Sequence, residues 1–173
     1  MKTFIATAAI CLSIFSLLAQ NLNQIITDTT LHIEVLIDTC NWEGLNGSIF
    51  GTYFQEEYAV YQPDEAVLQQ IGHQLNDYRI TIVMGSWCSD SQEQVPRFYK
   101  ILNQLNLPEN QLTVICADRK KKTIHANIQP LDIKLIPTFI FYKNNAETGR
   151  IIETPTETLE KDFLKIISAN NKQ

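Results

Sequence analysis

Cysteine chemistry depends on where the thiol sits, and this chain carries one where position matters. Cys88 stands in Gly85-Ser86-Trp87-Cys88-Ser89-Asp90-Ser91, directly after the apolar run Ile80-Thr81-Ile82-Val83-Met84. A short β-rich run, a glycine and then a helical pattern predict a strand-to-helix turn with a thiol at its tip. There the unpaired N–H groups of the first helical turn and the positive end of the helix dipole stabilise a thiolate. Thiolate is the species that attacks disulfides and electrophiles. Asp90 suits the dipole as a first-turn acid, although its charge opposes thiolate formation beside it, so a capping role is assigned to it.

The other cysteines are Cys11, Cys40 and Cys116. Met1-Lys2-Thr3 supplies a short positive region, Phe4 to Ala19 is uncharged and mostly apolar, and the polar run Gln20 to Gln24 follows. That pattern predicts a signal peptide over residues 1–19, cleaved near Ala19. Its apolar run is shorter than the roughly 20 residues of a membrane-spanning helix. Cleavage would remove Cys11 and Lys2, leaving 4 − 1 = 3 cysteines and a formal charge of −5 − 1 = −6. Three is odd, so at least one thiol is free or pairs outside the molecule. Export to an oxidising compartment makes an odd thiol a candidate for chemistry.

A net charge of −5 gives no electrostatic ground for a nucleic-acid partner or, once the leader is gone, a membrane partner. The basic run Arg119 to Lys122 reads as a solvated loop. His32, His73 and His125 are scattered, and neither Cys-x-x-Cys nor His-x-x-x-His occurs, so no metal is expected. Gly-rich phosphate loops are absent as well, and no cofactor is expected.

The elements that must position Cys88 can be read in order. Leu31, Ile33, Val35 and Ile37 alternate with polar residues and predict a half-buried strand, although Leu36 breaks the period. Thr39 to Gly44 and Asn46-Gly47 read as turns. Ile49, Phe50, Tyr53, Phe54, Tyr58 and Tyr61 recur at helical spacing and predict a short helix whose aromatic stripe packs onto the main domain. Pro63-Asp64-Glu65 opens a helix with Val67, Ile71 and Leu75 on one face and an end at Asn76-Asp77. Tyr78 to Met84 is a buried strand. Val95, Phe98, Ile101, Leu102 and Leu105 mark the helix after Cys88, which Pro96 would kink. Leu112 to Ala117 is an apolar strand, and a short helix or irregular link carries His125 to Pro130. Pro137 to Tyr142, a turn at Asn144-Asn145, and Gly149 to Ile152 form a hairpin. Thr154-Pro155-Thr156-Glu157 fits a capping box before a last helix lined by Leu159, Phe163, Ile166 and Ile167.

The order β-α-β-α-β-(α)-β-β-α predicts a mixed sheet with helices on both faces. Together with Trp87-Cys88, Pro96 eight residues on, and Ile136-Pro137-Thr138 downstream, it resembles the thioredoxin superfamily. The resemblance covers about residues 31 to 170 and implies an α/β, three-layer sandwich with a mixed central sheet. On this reading residues 20–63 are an N-terminal extension with one strand and an aromatic-rich segment. Residues 64–171 are the thioredoxin-like core, with the fold itself starting near 31. The leader and the Trp-Cys-Ser-Asp-Ser turn resemble exported thioredoxin family proteins of Gram-negative bacteria, especially Bacteroidetes, which implies a periplasmic location.

The resemblance also implies roles. Pro137 would be a cis-proline facing the nucleophile Cys88, with Ile136 and Thr138 flanking a peptide-binding edge, and Trp87 would cover the thiol. Two departures matter. Ser91 occupies the place of the second thiol of Cys-x-x-Cys, so internal release of a mixed disulfide cannot occur there. Ile82 occupies the place of a buried acid that helps deprotonate that second thiol. Both parts of the release machinery are missing together, which implies a monothiol site. Ser91 could still donate a hydrogen bond to the Cys88 thiolate. Cys116 reads as a core residue, and Cys40 is the candidate resolving thiol, reaching Cys88 or an outside thiol.

Three functions stay open. The first is mixed-disulfide formation through Cys88 with protein or low-molecular-weight thiols, a thiol-disulfide oxidoreductase whose cycle a second or external thiol completes. The second is a non-enzymatic module holding a partner peptide on the Pro137 edge. The third is a monothiol glutaredoxin-type protein, against which Trp87 and the lack of Gly-Phe after Cys88 argue.

Overall fold

The computed structural model describes residues 22–75 and 77–169, so the expected leader and Asn76 lie outside the described residues. Six strands form one sheet: β1 (Gln24–Asp28), β2 (Ile33–Cys40), β3 (Tyr78–Met84), β4 (Leu112–Cys116), β5 (Thr138–Lys143) and β6 (Ala146–Ile152), in the order β1-β2-β4-β3-β5-β6. β3 and β4 are parallel, and every other neighbouring pair is antiparallel. The helices are α1 (Trp42–Leu45), α2 (Gly51–Val60), α3 (Glu65–Gly72), α4 (Ser89–Gln104) and α5 (Leu159–Ala169). The mixed sheet with its helices is the thioredoxin-like α/β fold.

Side-chain alternation along β3 and β4 divides the interior in two. Ile80, Ile82, Met84, Val114 and Cys116 face the larger core, where Phe54, Ile71, Phe98 and Phe163 of the helices meet the sheet. Val83, Ile115 and Ala117 face the opposite side and pack with Ile128 and Ile136. That second face is covered by the connection from Asp118 to Pro137, whose regular element is one 3-10 turn, Gln129–Leu131.

Several expectations change. The N-terminal extension holds two strands, not one, because Gln24–Asp28 pairs antiparallel with Ile33–Ile37. Its edge position leaves it little to bury, and so little apolar signal. β2 is hydrogen-bonded on both sides, to β1 and β4, and belongs to the central sheet. Leu31 and Ile33 are exposed, whereas Val35, Leu36 and Ile37 are all buried. An interior strand covered on both faces does not alternate, which is why Leu36 broke the period.

Thr39 and Cys40 end β2 instead of forming a turn, and residues 42–45 make one helical turn capped by the Asn41 side chain, which accepts from Gly44 N at 3.2 Å. The aromatic helix is α2. Phe50 and Phe54 are fully buried, and Phe54 meets Trp42, Tyr58 and Tyr99 in ring contacts of 5.0, 5.8 and 5.3 Å. α5 is capped by Thr158, whose hydroxyl accepts from Lys161 N at 3.3 Å, four residues beyond the capping box expected at Thr154. Glu157 instead pairs with Lys165.

Candidate functional site

Cys88 is the N-cap of α4, with extended backbone (φ −93°, ψ 124°). Its N–H donates to Gly85 O at 2.9 Å and its carbonyl accepts from Gln92 N at 2.9 Å, so the turn is closed on both sides of the thiol. The half-buried Sγ donates to the Ile136 carbonyl at 3.4 Å. The Ile136-Pro137 peptide bond is cis. The segment before β5, the strand next to β3, therefore brings a backbone acceptor against the thiol.

Glycine is required at 85 by close approach. A Cβ there would lie 2.7 Å from the Trp87 indole nitrogen and 2.9 Å from Ile136 Cδ1. Without it the indole folds back, donates from Nε1 to Ala117 O at 3.0 Å, and packs with Cys88 on the second cluster of Val83, Ile115, Ala117, Ile128 and Ile136. The Arg119 guanidinium stands 6.0 Å from the Trp87 ring, which puts the first residue of the basic run beside the site. Trp87 and Cys88 thus rest on the same apolar floor.

Ser91 is fully buried, and its hydroxyl accepts from Gly85 N at 3.2 Å. That bond ties the start of α4 to the end of β3, and it uses the Ser91 oxygen as acceptor. Ser86 works alongside it. Its hydroxyl accepts from Leu36 N at 3.0 Å, and its carbonyl accepts from Gln92 Nε2 at 2.9 Å. Ile82 is fully buried in β3, so no acid enters the interior from that position.

Of the three residues expected along a substrate edge, Ile136 presents its carbonyl to the thiol. Pro137 O accepts from Glu153 N at 2.7 Å. Thr138 is buried, turns its hydroxyl to Leu135 O at 2.6 Å, and is taken up in the ladder between Val83 and Ile152. Leu135, whose carbonyl it meets, carries an exposed apolar side chain.

The structure brings Cys40 to Cys116 and not to Cys88. Cys40 lies opposite Val114 in the β2–β4 register and is buried, and it lines a cavity with Tyr99 and Leu102 of α4. Those residues lie 11 and 14 positions beyond Cys88 on the same helix, about 16–21 Å along its axis. Among the described residues no three His, Cys, Asp or Glu side chains are grouped to hold a metal ion.

Sequence reasoning missed Asp38. Its backbone takes a left-handed φ of 64°, its side chain is buried, and Oδ1 accepts from the N–H groups of Ile124, His125 and Ala126 at 2.9, 2.9 and 3.0 Å. The link that carries Ala126 and Ile128 to the floor under Trp87 and Cys88 is thereby pinned to β2. The only hint in the sequence is an acid directly after the apolar trio Val35-Leu36-Ile37, which reads equally well as a strand end.

A sheet of this order, a half-buried thiol capping the helix after β3, and a cis-proline loop facing it define a thioredoxin-fold protein. The chain belongs to the thioredoxin family, whose model matches residues 52–163. The match begins within α2, leaving β1 and β2 ahead of it. No curated protein matches the sequence. Among solved structures, a protein of unknown function from Pseudomonas aeruginosa is 16% identical, with a TM-score of 0.50 over 70% of this chain and 83% of that one. An HIV epitope-scaffold is 18% identical, with a TM-score of 0.51 and the same coverage. At such identities the likeness is one of fold.

Proposed function

We propose that this protein forms mixed disulfides through Cys88 and acts as a monothiol thiol-disulfide oxidoreductase whose cycle an external thiol completes. The observation that carries this reading is the Cys88 sulfur at the N-terminus of α4, half-buried and 3.4 Å from the Ile136 carbonyl beside the cis-proline. A disulfide entering between Trp87 and that loop would meet the thiolate end-on. Attack forms a bond between Cys88 and one substrate sulfur and releases the other as thiolate. Ser91 cannot attack the product, so a low-molecular-weight or protein thiol must displace the substrate from Cys88. The leader-like residues 1–19 support an exported, periplasmic setting for this exchange.

A second reading has its own support. With Ser91 accepting from Gly85 and Ile82 in place of an acid, Cys88 on this reading holds a partner segment on the Pro137 loop without turnover. Insulin disulfide reduction with added glutathione separates the two. The oxidoreductase reading expects turnover that is lost in Cys88→Ala and a trapped adduct on Cys88 when glutathione is omitted. Equal rates for wild type and Cys88→Ala would exclude it.

A further inference from the structure

Two thiols remain outside the chemistry of Cys88. Cys40 and Cys116 lie on neighbouring antiparallel strands, with Asp38 opposite Cys116 and Cys40 opposite Val114, so they are diagonal neighbours across the β2–β4 pair. Both are buried, both belong to the larger core, and both are free thiols. The two side chains meet. A hydrogen bond to Cys40, in which Cys116 keeps the proton, and then burial hold the Cys116 thiol well above its ordinary acidity range, while the Cys40 thiol itself donates to Asp38 O at 3.7 Å. Cys40 also forms part of the wall of a cavity of about 470 Å³ with Trp42, Tyr99 and Leu102, bordered by the exposed Glu43 and Glu109. Cys116 has no part in that wall.

We propose that Cys40 and Cys116 are a second, oxidisable thiol pair, which a small-molecule disulfide entering the cavity beside Cys40 closes into a bond joining β2 to β4. The Cys40 thiolate attacks one sulfur of the small disulfide, RSSR, and expels RS⁻, leaving Cys40 joined to SR. Cys116 passes its proton to the departing thiolate, attacks the Cys40 sulfur and expels the second RS⁻, which is protonated in turn. The two protein thiols lose two protons and two electrons, and RSSR is reduced to two RSH.

Three features support this assignment. The cavity reaches one member of the pair, which sets the order of attack. Diagonal neighbours on a regular sheet stand near the limit of disulfide reach, but the left-handed φ of 64° at Asp38, two residues before Cys40, breaks the regular pleat. A bond made at that limit is one that a dithiol reverses. Finally, pairing two of the three described cysteines leaves Cys88 as the lone thiol, in keeping with its monothiol surroundings.

The inference goes beyond the reading of Cys88 and is tested without it. The full chain, as wild type and as Cys88→Ala, is incubated with oxidised glutathione. It is then alkylated in denaturant, reduced, alkylated with a second reagent and mapped by peptide. The expected result is loss of the first label from Cys40 and Cys116 together in both proteins, an intact Cys88→Ala chain lighter by two hydrogens, and return of the first label after dithiothreitol. First label retained on either residue, a glutathione adduct that stays on Cys40, or a cross-link that forms only when Cys88 is present would each overturn the proposal. Loss of insulin reduction in Cys88→Ala bears on the Cys88 reading alone.

Discussion

Ser91 shows how one residue replaces one function with another. Where a dithiol site would place its second sulfur, this chain places a buried hydroxyl that accepts from Gly85 N. Ser91→Ala leaves that N–H without an acceptor in a buried site. It should lower the unfolding free energy by about 1–3 kcal/mol, read as a lower urea midpoint at unchanged slope. Ser91→Cys trades the same hydrogen bond for a thiol three residues along the helix from Cys88. It should therefore be less stable than wild type and yet reduce insulin on the order of tenfold faster when glutathione is limiting, because release becomes intramolecular. A Ser91→Cys protein with wild-type rate would mean that the turn does not bring the two side chains together.

At the scale of elements, the connection from Asp118 to Pro137 stands where a helix would otherwise cover the second face of the sheet. Side chains from two strands hold it: Arg150 of β6 donates to Leu131 O at 3.1 Å, and Asp38 Oδ1 of β2 receives three backbone N–H groups, while Oδ2 is buried with no partner among the described residues. Asp38→Ala should cost about 1–3 kcal/mol. In hydrogen exchange it should release the amides of residues 124–126 well before those of β3. If those amides exchange at the wild-type rate in Asp38→Ala, the carboxylate is not what holds the link. The same comparison explains what the sequence made legible. β3, α4 and the β5–β6 hairpin declare themselves because each buries a periodic apolar face, and the thiol turn lies between the first two. β1 is hidden because an edge strand buries little. Asp38 is hidden because its role depends on N–H groups 86 to 88 residues away, which no local pattern encodes. Ser91 was readable as a missing thiol but not as an acceptor for Gly85, since that contact needs the folded turn.

For the whole molecule, the groups that resist losing their protons define its alkaline limit. Cys116 is held up by its hydrogen bond with Cys40 and then by burial, Tyr99 by burial and then by the two cysteines, and Tyr61 by burial and then by Glu160, whose carboxylate accepts from its hydroxyl at 2.6 Å. In each case the folded chain keeps a proton that the unfolded chain gives up at its ordinary value, about 8.5 for a thiol and about 10 for a phenol. Above those values the unfolded state binds fewer protons than the native state, so the unfolding free energy falls as pH rises. The slope is about 1.4 kcal/mol per pH unit for each proton retained. Stability from these groups is therefore complete below about pH 8 and declines in two stages, first through Cys116 and then through the tyrosines. Urea midpoints measured under reducing conditions should be level from pH 7 to 8, lower by pH 9.5 and lower again by pH 10.5. Cys116→Val, which keeps the volume and removes the titration, should erase the first step and leave the second. A midpoint that stays level to pH 10.5 would mean that the larger core, which holds Cys116 and Tyr99 between β2, β4 and α4, admits water where this packing excludes it.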